Sequence, residues 1–541
     1  MTTTVTRARG RTGSTAASSH LTGTGAMVRL ALRRDRIKLT LWLVAITALV
    51  PRFYHAAVSA VVPTPEALAE ASQMIRVSFM RVLGGPLFGE VSTQSYFLAA
   101  YWVEFLLAAA IMNMMLMTRH TRAEEQTGRA ELIRAAVVGR HAQLTAALIV
   151  AVISNAALAA LTTAATISIG FPAGSALLFG ASLAATGLLF AGVTAVTAQV
   201  TEHPRGANGL AGLVLFAAWL LRGAGALQSE EGGPLFWLSP IGWSQQVRVL
   251  GDERWWPLGL SAVLAGLLVA GAYSLASRRD LGASLVTPRP GRASAPAWLR
   301  SPFTLALRLQ QAAILAWGAA FLAVGLVLGA MTGGMAVTDL PIFSGADFGR
   351  AWISLMVFTG SLYTGVFAVL SVIRLRAEEV RGRIAPVLAG PTGRSTWYWS
   401  SLLVTALAVV VLPVVYGTAL GVGAALSTGE PGLVGEVARA SLIRAPEVLV
   451  LLAVPAALLG LAPRAVNAAW AVLVYSGFMQ VLGSYMNLPG WLVNTSVLSH
   501  LPWHPLGSFA PVATVVLTAL AAALAILGQY GLRRRDLAAD V

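Results

Sequence analysis

About twelve runs of mostly apolar residues, each long enough to cross a bilayer as a helix, are spaced along this chain of 541 residues. They are centred in 39–61, 95–117, 144–167, 175–198, 207–227 and 257–277, and again in 309–330, 350–371, 398–421, 446–462, 465–483 and 511–530. A backbone crossing hydrocarbon has to satisfy its own hydrogen bonds, so runs of this length fold as helices. They leave little chain for anything else. Charged residues make up 11% of the sequence, against about 25% in soluble domains. The expected fold class is therefore all-α integral membrane, with about twelve transmembrane helices.

The formal net charge of +15 would suggest nucleic acid as a partner in a soluble protein, and the placement of the charges argues otherwise. Most of the 38 Lys and Arg fall in the N-terminal region, the even-numbered loops and the C-terminal tail. That is the positive-inside pattern of a multi-pass protein with both termini cytoplasmic, its arginines beside acidic headgroups. No nucleic-acid partner is expected. Residues 1–27 lack the apolar core of a signal peptide and read as a disordered cytoplasmic tail. Cysteine is absent, which removes disulfides and thiolate metal sites. His500 and His504 are separated by three residues including Pro502 and read as surface groups, so no metal site is expected.

The chain is an internal repeat. Leu30-Ala31-Leu32-Arg33 followed by Trp42 recurs as Leu305-Ala306-Leu307-Arg308 followed by Trp317. Arg122-Ala123-Glu124-Glu125, Gly128-Arg129 and Gly139-Arg140 recur as Arg376-Ala377-Glu378-Glu379, Gly382-Arg383 and Gly393-Arg394. Pro204-Arg205 and Asn208 recur as Pro463-Arg464 and Asn467, and Leu238-Ser239 with Trp243 as Leu498-Ser499 with Trp503. Arg278-Arg279-Asp280-Leu281 recurs as Arg534-Arg535-Asp536-Leu537. Six spans per half is an even number, so the halves run parallel about an axis along the membrane normal, where a substrate path is expected. The domain reading is a tail at 1–27, a first half at 28–280, a cytoplasmic linker at 281–300 and a second half at 301–541. The halves differ outside the membrane: Thr64 as N-cap and Pro65 at the first helical position start an external helix, expected in the first half only.

The loops at 118–141 and 372–397 carry the recurring Glu-Glu doublet. In the first, Leu132, Ile133, Ala136 and Val137 share one helical face, giving a short amphipathic helix suited to a membrane surface or a partner. The doublet Arg-x-Glu-Glu-x-x-Gly-Arg, the Pro-Arg-x-x-Asn start of spans five and eleven, and the Arg-Arg-Asp-Leu-Gly-Ala linker together resemble the fused, double-length permeases of ABC-2 type ABC transporters. The resemblance extends to those that export polyketide antibiotics, including tetronasin-resistance permeases, and covers about 28–537. It implies two type V exporter-like halves, elbow helices at 28–38 and 301–308, and coupling loops that seat in a separate ABC ATPase subunit. Two ATPase copies, a hydrophobic small-molecule substrate and a bacterial cell membrane follow from the same resemblance. Carried over by position, the coupling residues are Arg122, Glu124, Glu125, Gly128 and Arg129, and Arg376, Glu378, Glu379, Gly382 and Arg383. Pro386 stands where the first copy has Leu132, so the second loop helix is expected to start or end differently.

No cofactor is expected in this chain. A phosphate loop needs a lysine after its glycines, and the sole lysine, Lys38, lies in Arg36-Ile37-Lys38-Leu39. ATP and magnesium would belong to the partner ATPase. The rival reading is a proton-coupled twelve-helix secondary drug transporter of the major facilitator type, which also has two parallel six-helix halves. An enzyme embedded in the membrane is a third class, without a residue cluster to support it.

Charges inside spans mark function by default, and three are expected: Arg52, Glu104 and Arg222. Counted along their helices, Arg52 and Glu104 lie at matching depth, roughly 15 to 20 Å above the cytoplasmic edge. They read either as an ion pair or as a pair from which Glu104 faces substrate. Arg222, nearer the outer surface, reads as snorkelling. The outer segments 232–256 and 484–510, with Trp237, Trp243, Trp255, Trp256, Trp491 and Trp503, read as an aromatic belt or, by the resemblance, as re-entrant helices that close the exit.

Overall fold

The computed structural model describes residues 20–60, 62–76, 78–129, 131, 138–280, 282–285, 294–333, 348–482, 489–502 and 509–536. Every described regular element is a helix, and eleven helices are long and apolar enough to cross a membrane. The protein is a multi-pass, all-α membrane protein. The chain divides into two compact units, Met1–Pro290 and Gly291–Val541.

In the first unit, α1 (Thr24–Ala60), α4 (Thr93–His120), α6 (Ala142–Ile167), α7 (Ala173–Val200), α8 (Pro204–Gln228) and α11 (Trp256–Ser277) are the spans. The expected elbow at 28–38 is continuous with the first span, because no Gly, Pro or capping residue interrupts the register there. Thirty-seven residues reach about 55 Å, well beyond a hydrocarbon core of about 30 Å. Of the tail expected at 1–27, only residues 20–27 are among those described, and α1 already begins at Thr24. His20 and Thr22 accept backbone hydrogen bonds from His141 (3.0 Å) and Gly139 (2.9 Å), pinning the start of the chain to the loop before α6.

The helix expected after the first span begins where its cap requires. In α2 (Pro65–Arg76), the Thr64 hydroxyl accepts from Ala67 N–H at 3.2 Å, and α3 (Ser78–Leu83) follows. The corresponding part of the second half, 334–347, lies outside the described residues, so the one-sided expectation is not tested there. A capping box closes the start of α4: Ser92 and Ser95 exchange backbone-to-hydroxyl hydrogen bonds at 2.9 and 3.1 Å.

The fourth span is the core of each unit. Helix α7 packs against α4, α6 and α11, with Trp102, Phe105, Phe179 and Phe190 all at most 2% exposed. Within that apolar interior Asn113 and Asn155 exchange amide hydrogen bonds at 2.7 and 3.1 Å. The exchange satisfies both groups without water and ties α4 to α6.

The second unit comprises α12 (Pro302–Ala330), α13 (Phe348–Val380), α14 (Ala385–Leu388), α15 (Arg394–Thr428), α16 (Leu433–Ile443), α17 (Ala445–Leu461), α18 (Ala469–Leu482), α19 (Gly490–Val493) and α20 (Pro511–Arg534). The tenth span is longer than the expected 446–462: it runs Leu433–Leu461, broken at Arg444 between α16 and α17. The eleventh opens with a 3₁₀ turn over Pro463–Ala468 before α18. Helices α17 and α20 cross where Gly460 meets Gly528. A Cβ on Gly460 would sit 1.8 Å from the Gly528 carbonyl oxygen, so only glycine permits this approach, as at small-residue crossings of membrane helices.

Candidate functional site: the repeated loops

The two Glu-Glu loops lie at corresponding ends of their units and share one construction. Helix α5 (Arg122–Gln126) follows a break at Thr121. The Arg122 side chain is wholly buried and bonds Glu125 at 2.8 Å. Its remaining donors go to the carbonyls of Ala198, Gln199 (3.3 Å) and Ala283 (3.0 Å). Arg279, just past the end of α11, grips the same carboxylate with both terminal nitrogens at 2.7 and 3.0 Å. Glu125 is thus clamped between two arginines, its side chain 7% exposed.

In the second unit Glu379, 1% exposed, is held by Arg535 and lies 3.9 Å from Arg376. Arg535 also donates to the Leu459 carbonyl at 3.1 Å, as Arg122 does to that of Gln199. The clamp joins the loop to the fourth and last spans of each half. The glycine of the motif has a backbone reason. Gly128 and Gly382 have φ of +73° and +66°, and their N–H groups bond back to Glu125 (3.1 Å) and Glu379 (2.9 Å). The helix before each glycine, α5 in the first half and α13 in the second, is therefore followed by a left-handed residue, which favours glycine.

One carboxylate of each doublet therefore points into its own unit, where no partner protein reaches it. The other differs between halves. Glu124 pairs with Arg34 of α1, and the next α1 residue, Asp35, binds Arg119 and His120, each at 2.8 Å. Continuing the Leu-Ala-Leu-Arg repeat, Arg34 and Asp35 align with Leu309 and Gln310. Gln310 instead bonds the Ser401 carbonyl (3.2 Å) and the Thr405 hydroxyl (2.9 Å) of α15. Glu378 has only Arg383, at 3.4 Å. Arg129 and Arg383 are exposed. The expected amphipathic face of Leu132, Ile133, Ala136 and Val137 lies outside the described residues. In the second loop α14 has Pro386 in its first turn.

The expected intramembrane pair is not formed. Arg52 is exposed on α1, with no ion pair or hydrogen bond among the described residues. Glu104 is exposed on α4. Nor does Arg222 snorkel. It is wholly buried, donating to the carbonyls of Val82, Leu83 (3.2 Å), Arg81 and Gly84 (both 3.4 Å) and to Gln245 (3.2 Å). Those carbonyls end α3 and have no helical partner of their own. The segment 232–256 folds in part into two short helices, α9 (Pro234–Trp237), with Phe236 buried, and α10 (Pro240–Gln245), which is mostly buried. Trp255 and Trp256 stay at the surface.

Sequence reasoning missed a second buried cation. Arg444, at the break in the tenth span, pairs with Glu447 at 2.8 Å, both at most 1% exposed. It also donates to the carbonyls of Leu498 (3.3 Å) and Pro502 (3.2 Å), while Leu501 N–H donates to Glu447 at 3.3 Å. Arg-x-x-Glu at helical spacing between apolar runs was the available signal. Trp503 and His504 lie outside the described residues, and no cluster of metal-ligating side chains occurs among those described.

A family described as "Multidrug efflux system permease Rv1217c, C-terminal domain" matches residues 25–275 and 299–533, the two halves found above. The multidrug efflux system permease protein Rv1217c of Mycobacterium tuberculosis (strain ATCC 25618 / H37Rv) is 37% identical over 537 residues, covering 96% of each chain.

Proposed function

The chain belongs to the Rv1217c family of multidrug efflux system permeases, and from that premise we propose that it is the membrane subunit of an ATP-driven drug exporter. Its ATPase is a separate polypeptide, in two copies, docked on the two repeated loops. The observation that carries this reading is the loop construction itself: in both halves an Arg–Glu–Arg clamp ties the start of the loop, a short helix in the first half and the end of α13 in the second, to the fourth and last spans. A force applied to such a loop moves the spans rather than bending the loop. The transported compounds are hydrophobic antibiotics, for which polyketides are the first test panel, and both loops and termini face the cytoplasm. A secondary transporter of the major facilitator type gains nothing from the family match. It also gives no reason for a rigid clamp behind each loop.

Coexpression with candidate ATPase subunits tests the proposal. Charge reversal at the exposed Arg129 and Arg383 is expected to abolish copurification and stimulated ATP hydrolysis while leaving thermal stability unchanged. Drug export persisting in cells without any ATPase partner overturns it. Orientation is tested separately in this cysteine-free chain, where a cysteine introduced at position 75 should react from outside and one at 290 from the cytoplasm.

A further inference from the structure

An open cleft lies at the corresponding place in both halves; in the first it is lined by the Arg34–Glu124 latch, and in the second, between α12, the end of α13, the loop and α15, the latch is missing. The walls of the second cleft are apolar, formed by Leu305, Leu309, Leu375, Val387 and Trp397. Leu309 stands where the first half has Arg34, and Gln310 turns away to α15, so nothing draws the start of α12 against the loop. The rim is charged. Glu378 and Arg383 offset each other, and Ser371 spends its hydroxyl on its own helix, at 2.8 Å from Phe367 O. Arg374 remains, half-buried, with no ion pair or hydrogen bond among the described residues. An apolar cleft with one uncompensated guanidinium at its mouth, at the membrane boundary of a spanning helix, complements an anionic headgroup carrying an acyl chain.

We propose that this cleft is a binding site for an acidic phospholipid, its phosphate on Arg374 and an acyl chain between Leu305, Leu309 and Trp397. The leaflet follows from the orientation above and is the cytoplasmic one. Binding itself requires neither that orientation nor an ATPase, so cysteine labelling and lipid binding can fail independently.

The test is native mass spectrometry of the full chain, purified in detergent and offered equimolar phosphatidylglycerol and phosphatidylcholine. The wild type should retain phosphatidylglycerol preferentially. Arg374→Gln should lower that retention about fivefold, and Arg374→Lys should keep most of it. Leu309→Arg, which puts a charge on the wall that holds the acyl chain, should lower retention as well. Thermal unfolding of each variant controls for folding, and Leu309→Arg gives a second reading that leaves Arg374 in place. Equal retention of both lipids by the wild type, or an unchanged preference in Arg374→Gln, overturns the proposal. Displacement of the lipid by glycerol phosphate at millimolar concentration would identify a simple phosphate site and overturn it too.

Discussion

The loop ends of the two units were built from one sequence and now differ in a single layer. Inside, both keep a carboxylate clamped by the last span: Glu125 by Arg279 and Glu379 by Arg535. Outside, Arg34 and Asp35 latch the first helix to the first loop, whereas Leu309 and Gln310 leave the second loop open. The layer that joins loop to span has been kept, and the layer that faces outward has been free to change. A similar split appears at the far ends, where Arg222 holds backbone carbonyls and the neutral amide of Gln245 and Arg444 holds carbonyls together with a carboxylate.

The comparison can be broken most severely at the clamps. Glu125→Ala or Glu379→Ala strands buried guanidinium groups, and loss of one partner of a buried pair costs about 3 to 5 kcal/mol. Both should lower the unfolding temperature in detergent, Glu125→Ala more, because its two arginines are closer. Unaltered unfolding of Glu379→Ala would show that the inner layer is not shared.

At the far ends the expected asymmetry runs the other way. Arg444→Met should cost about as much as a clamp mutation, since it leaves Glu447 buried and unpaired, and adding Glu447→Leu should recover most of the loss. Arg222→Met strands only neutral carbonyls, at about 1 to 3 kcal/mol. Thermal unfolding of the three proteins ranks them. Smaller and equal in the two halves should be Gly128→Ala and Gly382→Ala. Each is open to a Cβ and penalised only by its left-handed backbone, at about 1 to 2 kcal/mol. Smallest is Arg34→Leu, which copies the second half into the first. An ion pair this exposed is worth at most about 1 kcal/mol, so its effect should appear in cysteine cross-linking between α1 and the loop rather than in unfolding.

Much of this was legible in the residues. The span count, the repeat and the Thr64-Pro65 helix start all rest on apolar runs and caps, which are local. Both members of each clamp were also in view, Glu125 with Glu379 and Arg279 with Arg535, as separate repeated motifs. What the linear order hides is that motifs more than 150 residues apart touch. Arg222 was recognisable as a charge within a span but was read as snorkelling, because its acceptors are carbonyls, which leave no mark on sequence. Arg52 and Glu104 were joined on depth alone, and depth along a helix does not say which face a side chain takes. Of the pair Arg444 and Glu447, the arginine fell outside a tenth span begun too late, at 446, and the glutamate, inside it, was passed over.

The clamps also set a timetable for synthesis. Glu125 leaves the ribosome 154 residues before Arg279, and Glu379 precedes Arg535 by 156. At about 5 to 20 residues per second, each loop waits roughly 8 to 30 seconds with only its own arginine on the carboxylate before the last helix of its half is inserted. A nascent half that loses its final arginine stays in that waiting form, with a half-paired acid for a membrane protease or chaperone to read. Completion of each half is thereby recorded in its last few residues, and the first half is closed before the second has begun to insert its own sixth helix.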